Sequence, residues 1–430
     1  MKKYKIPVIL LLAVLIAAGW SQYTDTRAKL AAEYRDAFNS AEEKYDAGLY
    51  QVAAEKYAEA LEVRETHEAR RGLVDSYRAV YEKDVGTRKE FIAVLEEGCA
   101  LYPDEEDWWL ECARLYIEKN DYAGAYRTME EAADAGVDGD EAEELRRIIS
   151  YACDLKNKKY KEFTAPSGGY MAIGKNGLWG IQTDTGDTVS AVIYDFVGPV
   201  GDDGLAVYTE GEESFLMDTD GVVRAFMPGI VTAAGAYREG LVPVCIDGEY
   251  VYADMDGETP LGPYEFAGSF IGGFAAVCED GAWSVIGTDG DAVLESEHGE
   301  IKSFDCGVFL VPEEDGYAVY GEELEELGFI ECTAIDVCTD DGIIAFEEDG
   351  LWGFASLDGD VVIKPQFESA RSFSQGLAAV CTDGLWGFIN EAEVVAIEPF
   401  FLDAGYFTEN GTCMVRTAED SWQMLERMFY

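Results

Sequence analysis

Two spacings of apolar residues divide this chain. From Thr24 to about Tyr160 they recur three and four apart among Ala, Glu, Tyr and Arg, the period of amphipathic helices. From Gly169 onward they come as short β-rich runs broken by Asp-Gly or Asn-Gly, which supply the positive φ of tight hairpins. The pattern predicts a helical domain over 24–163, a linker over 164–168 within "TAPSGG", and a β-domain over 169–430.

The β-pattern is periodic. One aromatic-rich position falls at Trp179, Ser214, Tyr250, Trp283, Tyr317, Trp352, Trp386 and Trp422, at intervals of 35, 36, 33, 34, 35, 34 and 36. A second landmark precedes each by ten or eleven residues: Gly169, Gly204, Gly240, Gly273, Gly307, Gly342, Gly376 and Gly411. Two landmarks that keep phase eight times mark a stamped structural unit. In the seventh copy "GLAAVC" is one strand, "TDG" the turn and "LWGFI" the returning strand. A third run such as "VVIKP" comes after a further turn, and "FESARSF" suggests a fourth. In "LWGFI", Trp386 and Phe388 take one face and Leu385 and Ile389 the other, so each small sheet is apolar on both sides and must be covered on both.

These units resemble the bacterial WG repeat, carried by Trp179-Gly180, Trp352-Gly353 and Trp386-Gly387. The resemblance spans roughly Gly169 to Leu425 and weakens in the middle, where Ser214, Tyr250 and Tyr317 replace Trp and Ser284 follows Trp283. It implies a repeat module that mediates interactions. Trp179, Trp283, Trp352, Trp386 and Trp422 are then the structural repeat core, and the expected architecture is a β-propeller of seven or eight blades, with an open β-solenoid as the alternative. The hairpins at both ends leave seven full periods and a half unit.

The helical part resembles a tetratricopeptide-like α-solenoid. Gly48, Tyr50, Ala53, Tyr57, Ala60 and Leu61 carry one copy; Asn120, Tyr122, Ala125, Met129 and Ala132 carry another. A poorer copy between them runs through Gly86, Phe91, Leu95, Gly98 and Pro103, and Asp140 to Leu155 reads as the closing helix. The resemblance implies a polypeptide-binding groove lined by the first helix of each pair. Carried over, that face is Arg35, Phe38, Glu42, Tyr45, Leu73, Ser76, Val80, Lys83, Asp107, Leu110, Arg114 and Ile117. The chain as a whole is expected to be α + β and multidomain.

Lys2, Lys3 and Lys5 precede an apolar run of 15 residues, Ile6 to Trp20, so residues 1–22 read as a signal peptide or a signal anchor. Either reading exports the rest, and the membrane is a partner only if the segment stays uncleaved. From Pro166 onward there are 51 acidic and 8 basic residues, a balance of −43 within a total of −53. Such a field is expected to repel nucleic acid and anionic lipid.

Candidate chemistry adds little. The two histidines, His67 and His298, give Ser-His-Asp or Cys-His catalysis little support. The 45 glycines recur at repeat turns and form no phosphate loop. "DTDG" and "DMDG" (Asp218 and Asp254 onward) look like fragments of calcium loops but fall on repeat turns. The ten cysteines show no C-x-x-C and read mostly as buried free thiols. No catalytic, metal or cofactor residues are expected. The expected function is a non-enzymatic, extracytoplasmic scaffold with a polypeptide partner from the cell envelope and no nucleic acid. A carbohydrate- or cell-wall-binding protein, with or without hydrolytic activity, is the alternative.

Overall fold

The computed structural model describes residues 5–419 and 421–429, and the chain divides into two units at Ser150. Among the described residues the first unit has α1 (Lys5–Asp46), α2 (Tyr50–Val63), α3 (His67–Tyr81), α4 (Arg88–Leu101), α5 (Glu106–Glu118), α6 (Tyr122–Asp134) and α7 (Asp140–Ser150). Each helix packs on its neighbours in sequence. Local chemistry sets several ends. Gly48, at φ +73°, turns the chain after α1. Thr66 and Asp121 cap α3 and α6 by accepting hydrogen bonds from the backbone N–H groups of Ala69 (3.3 Å) and Gly124 (3.0 Å).

The expected signal segment, 1–22, lies outside the described residues as far as nearly all its side chains are concerned; from Lys5 its backbone continues into α1. Among the described residues no helix is long and apolar enough to cross a membrane.

The helical span expected to reach residue 163 ends at Ser150. Two strands come next, β1 (Cys153–Tyr160) and β2 (Glu162–Phe163). In β1, Cys153 and Leu155 pack inward while Asp154 is exposed, an alternation that belongs to a strand.

The second unit is an eight-bladed β-propeller: seven four-stranded sheets and one three-stranded sheet, each meandering outward from a short inner strand. The blade hairpins are, in order, 170–183, 205–218, 242–253, 274–287, 308–320, 343–356, 377–390 and 412–427. The half unit seen in the sequence is completed from the other end of the domain. β1 forms the outermost strand of blade eight, antiparallel to Ser421–Arg427.

Eight apolar clusters fill the eight junctions between blades. Because side chains alternate along a strand, one strand serves two junctions: Ile344 packs toward blade five and Ala345 toward blade seven. The last junction joins Tyr160, Met414 and Met424 to Met171 of blade one, which closes the ring. Carboxylates in the turns tie neighbours further. Asp202 accepts from the Glu239 N–H (3.1 Å), Glu239 from Gly273 N–H (3.0 Å), and Asp341 from Gly376 N–H (2.8 Å).

The Trp-Gly pair has a steric cause. A Cβ on Gly353 or Gly387 would sit 2.6 or 2.5 Å from the carbonyl oxygen of Ile363 or Ile397, because the outer strand bulges across the glycine. The tryptophans are less uniform than a core should be. Trp386 is buried, whereas Trp179, Trp283, Trp352 and Trp422 are half-buried. Asp315 departs from the turn pattern, since it does not take the positive φ that Asp349 and Asp383 adopt. All ten cysteines are free and seven are buried.

Trp386→Ala should cost about 3–5 kcal/mol and Gly387→Ala about 1–3 kcal/mol. Leu385→Ala, at a site 36% exposed, should cost less than about 1 kcal/mol. Urea denaturation of the three variants checks the order; an unchanged midpoint for Gly387→Ala would show that the outer strand does not need the close approach.

Candidate functional site

The helical unit offers a groove of about 570 Å³ between α1 and α3. Phe38, Glu42, Tyr45 and Asp46 line it from α1, Tyr57 from α2, and His67, Glu68, Arg71, Gly72 and Asp75 from α3. Its floor is aromatic because α3 carries glycine where Tyr57 presses against it: a Cβ on Gly72 would lie 2.3 Å from that ring. Phe38 meets Tyr57 edge-on at 5.8 Å. The Tyr57 hydroxyl donates to the Glu42 carboxylate. Burial, with Glu42 beside it, pushes that hydroxyl well above the ordinary tyrosine pKa, so it remains a donor.

The helices spend many of their charges on one another. Arg71 on α3 donates to both oxygens of Glu105, just before α5, at 2.7 and 2.8 Å, and His67 lies 2.6 Å from the same carboxylate. Arg78 reaches Glu111 of α5 at 2.8 Å, and Arg114 of α5 pairs with Glu141 of α7. Among the described residues no ion pair joins α1 to α3. The groove lies at that gap, with Glu42, Asp46 and Glu68 outside every described ion pair.

The groove face expected from the sequence is only partly where it was placed. Phe38, Glu42 and Tyr45 line the groove; Arg35 is exposed on α1, where its Nε donates to the Ala31 carbonyl at 3.2 Å. Leu73, Ser76 and Leu110 are buried, at 6%, 0% and 7% exposure, and cannot touch a partner. Their apolar spacing marks the stripe packed against neighbouring helices; the open face of α3 is Glu68, Arg71 and Asp75, one helical step away. Val80 and Lys83 line a separate cleft of about 330 Å³, with the Lys83 ammonium 4.3 Å from the Tyr50 ring centroid. On α5, Asp107 is exposed, Ile117 half-buried and Arg114 paired. The residues missed on α3 were legible as charges spaced three to four apart, Glu68–Arg71–Asp75.

In the propeller, the Asp218 and Asp254 carboxylates are occupied by their own turns. Asp218 accepts from Val222 N–H (2.8 Å), and Asp254 from Asp256 and Glu258 N–H (both 2.9 Å). Among the described residues no group of three or more His, Cys, Asp or Glu could hold a metal ion.

The fold is a repeat β-propeller that follows a helical unit in the chain. A family model described as "WG containing repeat" matches residues 264–283 and 352–386, in blades three to four and six to seven. No curated protein matches the chain. Solved structures similar to it include a eukaryotic initiation factor, at 8% identity, TM-score 0.39, covering 58% of this chain and 90% of that one. Another is the WD40 domain of Neurospora crassa Pan2, at 8% identity, TM-score 0.36, covering 63% and 89%. The dihydro-heme d1 dehydrogenase NirN is similar at 13% identity, TM-score 0.35, covering 66% and 78%. Scores this low say nothing about function.

Burial would raise the Glu105 carboxyl pKa, but hydrogen bonds from Arg71 and His67 outweigh it and hold it below its ordinary value. The stabilisation from this group is therefore present above the unfolded carboxylate pKa, about 4.3, and lost as pH falls through the lower folded value. Glu105→Gln should cost about 1–2 kcal/mol at neutral pH and remove this part of the acid-side decline. Thermal unfolding against pH checks it; parallel curves for variant and wild type would mean the link between α3 and α5 contributes nothing.

Proposed function

We propose that this chain is a non-enzymatic scaffold that holds polypeptide partners, with the groove between α1 and α3 as a docking site for a stretch rich in Lys and Arg. The observation that carries this reading is the gap in the ion-pair ladder: at α1–α3 the carboxylates of Glu42, Asp46 and Glu68 surround aromatic side chains and lie outside every described ion pair. Aromatic faces beside carboxylates suit the apolar stems and charged heads of basic side chains. The repeat propeller supports the scaffold reading, since such folds present large surfaces without requiring chemistry. The Lys-rich start and apolar run of the sequence support an extracytoplasmic setting and a partner from the cell envelope.

Asp46 and Glu68 are exposed and bear no structural pair, so they can be reversed without unfolding the unit. In a pull-down from envelope extract, Asp46→Lys with Glu68→Lys should sharply weaken capture of a partner bearing a basic segment. Arg35→Glu should leave it intact or strengthen it. Capture that survives the double reversal would remove the groove from the interaction. Cleavage by external protease on intact cells tests the setting, and complete protection of the chain would refute it.

A further inference from the structure

The repeat itself shows what one of its positions is built to hold. Only eight cations follow Pro166, and three of them lie over the repeat's aromatic ring. Lys302 sits 5.5 Å from the Tyr317 centroid, Arg371 5.3 Å from Trp386, and Arg416 5.9 Å from Trp422, in blades five, seven and eight. Among the described residues no cation of the chain lies over Tyr250 of blade three or Trp283 of blade four.

In blade eight Arg416 reaches Trp422 from the paired hairpin strand; in blades five and seven the inner strand supplies the cation. Lys302 pairs with Leu310, and Arg371 donates its N–H to the Ala379 carbonyl, where each inner strand opposes the third residue after its blade's landmark glycine. At the same register Gly235 donates to Pro243 and Gly268 to Ala276, both at 2.9 Å. Blades three and four thus carry glycine where blades five and seven carry the cation. A cavity of about 240 Å³ lies there, lined by Gly235, Gly268 and small residues beside them, with Tyr250 and Phe266 at its rim. Phe266 is 37% exposed and bridges the two vacant rings, 5.7 Å from Tyr250 and 5.2 Å from Trp283. The exposed Glu265 precedes it in sequence, and the Asp305 carboxylate, which accepts from Arg238 and Ser167, stands in the cavity wall.

We propose that this cavity is a binding site for an arginine or lysine side chain of a partner polypeptide. Two observations select that occupant. In blades five and seven the chain fills the equivalent space with its own Lys302 and Arg371, so the geometry is already one that seats an ammonium or guanidinium over a ring. The balance of −43 from Pro166 onward draws basic polypeptides to this unit and repels acidic ones. This site stands apart from the helical groove and fails or holds independently of it.

The test is titration calorimetry of the full chain with an arginine hexapeptide, and with its citrulline counterpart as a neutral isostere. Gly268→Arg installs the cation that blades five and seven possess; its Cβ would meet Ser303 Oγ at 3.1 Å and the Ala276 carbonyl at 3.4 Å, close but without backbone overlap. Phe266→Leu removes a ring and changes no charge. Each should weaken arginine-peptide binding by about fivefold to twentyfold with the melting temperature kept. Val293→Arg, which adds the same charge at a site 53% exposed on the outer strand of blade four, should shift binding by less than about twofold. Asp46→Lys with Glu68→Lys should leave the Phe266 effect in place. The proposal is overturned if Gly268→Arg and Phe266→Leu both bind like wild type, or if the citrulline peptide binds as tightly.

Discussion

The propeller depends on one antiparallel pairing, Cys153–Tyr160 against Ser421–Arg427. It joins strands about 270 residues apart, so bringing them together costs roughly 5 kcal/mol of loop-closure entropy. No single ladder of backbone hydrogen bonds offsets that. The gain comes from what the pairing completes: Cys153 and Leu155 pack against Cys413 and Leu425 in the junction of blades seven and eight, and Tyr160 joins Met414, Met424 and Met171 in the next. Without it the outer edge of blade eight would offer unpaired N–H and C=O groups to any other strand. A ring of two-faced sheets has no stable open form of the same composition, since each terminal blade would expose an apolar face.

This constraint also decides what could be read from the sequence. The periodicity, the landmark glycines and the division into helical and β parts are local signals repeated many times, so they are legible. Each landmark glycine, from Gly169 to Gly411, takes a positive φ, which explains why the position persists while the tryptophan does not. β1 is written once, in "CDLKNKKY", with four charged side chains and directly after a helix. Its identity as a strand comes from a partner at the far end of the domain, which no local window contains. The face of α3 was misread for a related reason: apolar spacing finds the buried stripe, and the open side is marked by charge. In the propeller the aromatic position could be counted, but not that the rings of blades five and seven carry a cation, because that depends on inner-strand register.

The acidity is partly structural without losing its long-range effect. Asp202, Glu239 and Asp341 bind the turns of the next blade, Asp218 and Asp254 close their own turns, and Glu368 accepts from Gly384 N–H at 2.9 Å. A carboxylate suits these roles because charge-assisted acceptors hold turn N–H groups more strongly than neutral ones. Each such bond satisfies local geometry but leaves a full negative charge. A repeat that uses Asp and Glu at turn after turn accumulates a field as a by-product, and screening by salt weakens the field while the short bonds persist.

The two units, each considered alone, show the same internal logic. In the helical unit, α3 is tied to the α5 region by Arg71–Glu105 and Arg78–Glu111 and α5 to α7 by Arg114–Glu141, and the α1–α3 junction, which has no such pair among the described residues, opens into a groove. In the propeller, Lys302 and Arg371 occupy a position that Gly235 and Gly268 leave vacant, and the vacancy lies among aromatics and carboxylates. A repeat protein supplies its own control in this way. Where some copies make a contact internally, as blades five and seven do, those copies show that the contact is compatible with the fold. The copies that omit it leave the position without its built-in occupant. Both openings keep aromatic and acidic surroundings that a partner's cation would use, and the one arginine lining the helical groove, Arg71, is already paired with Glu105.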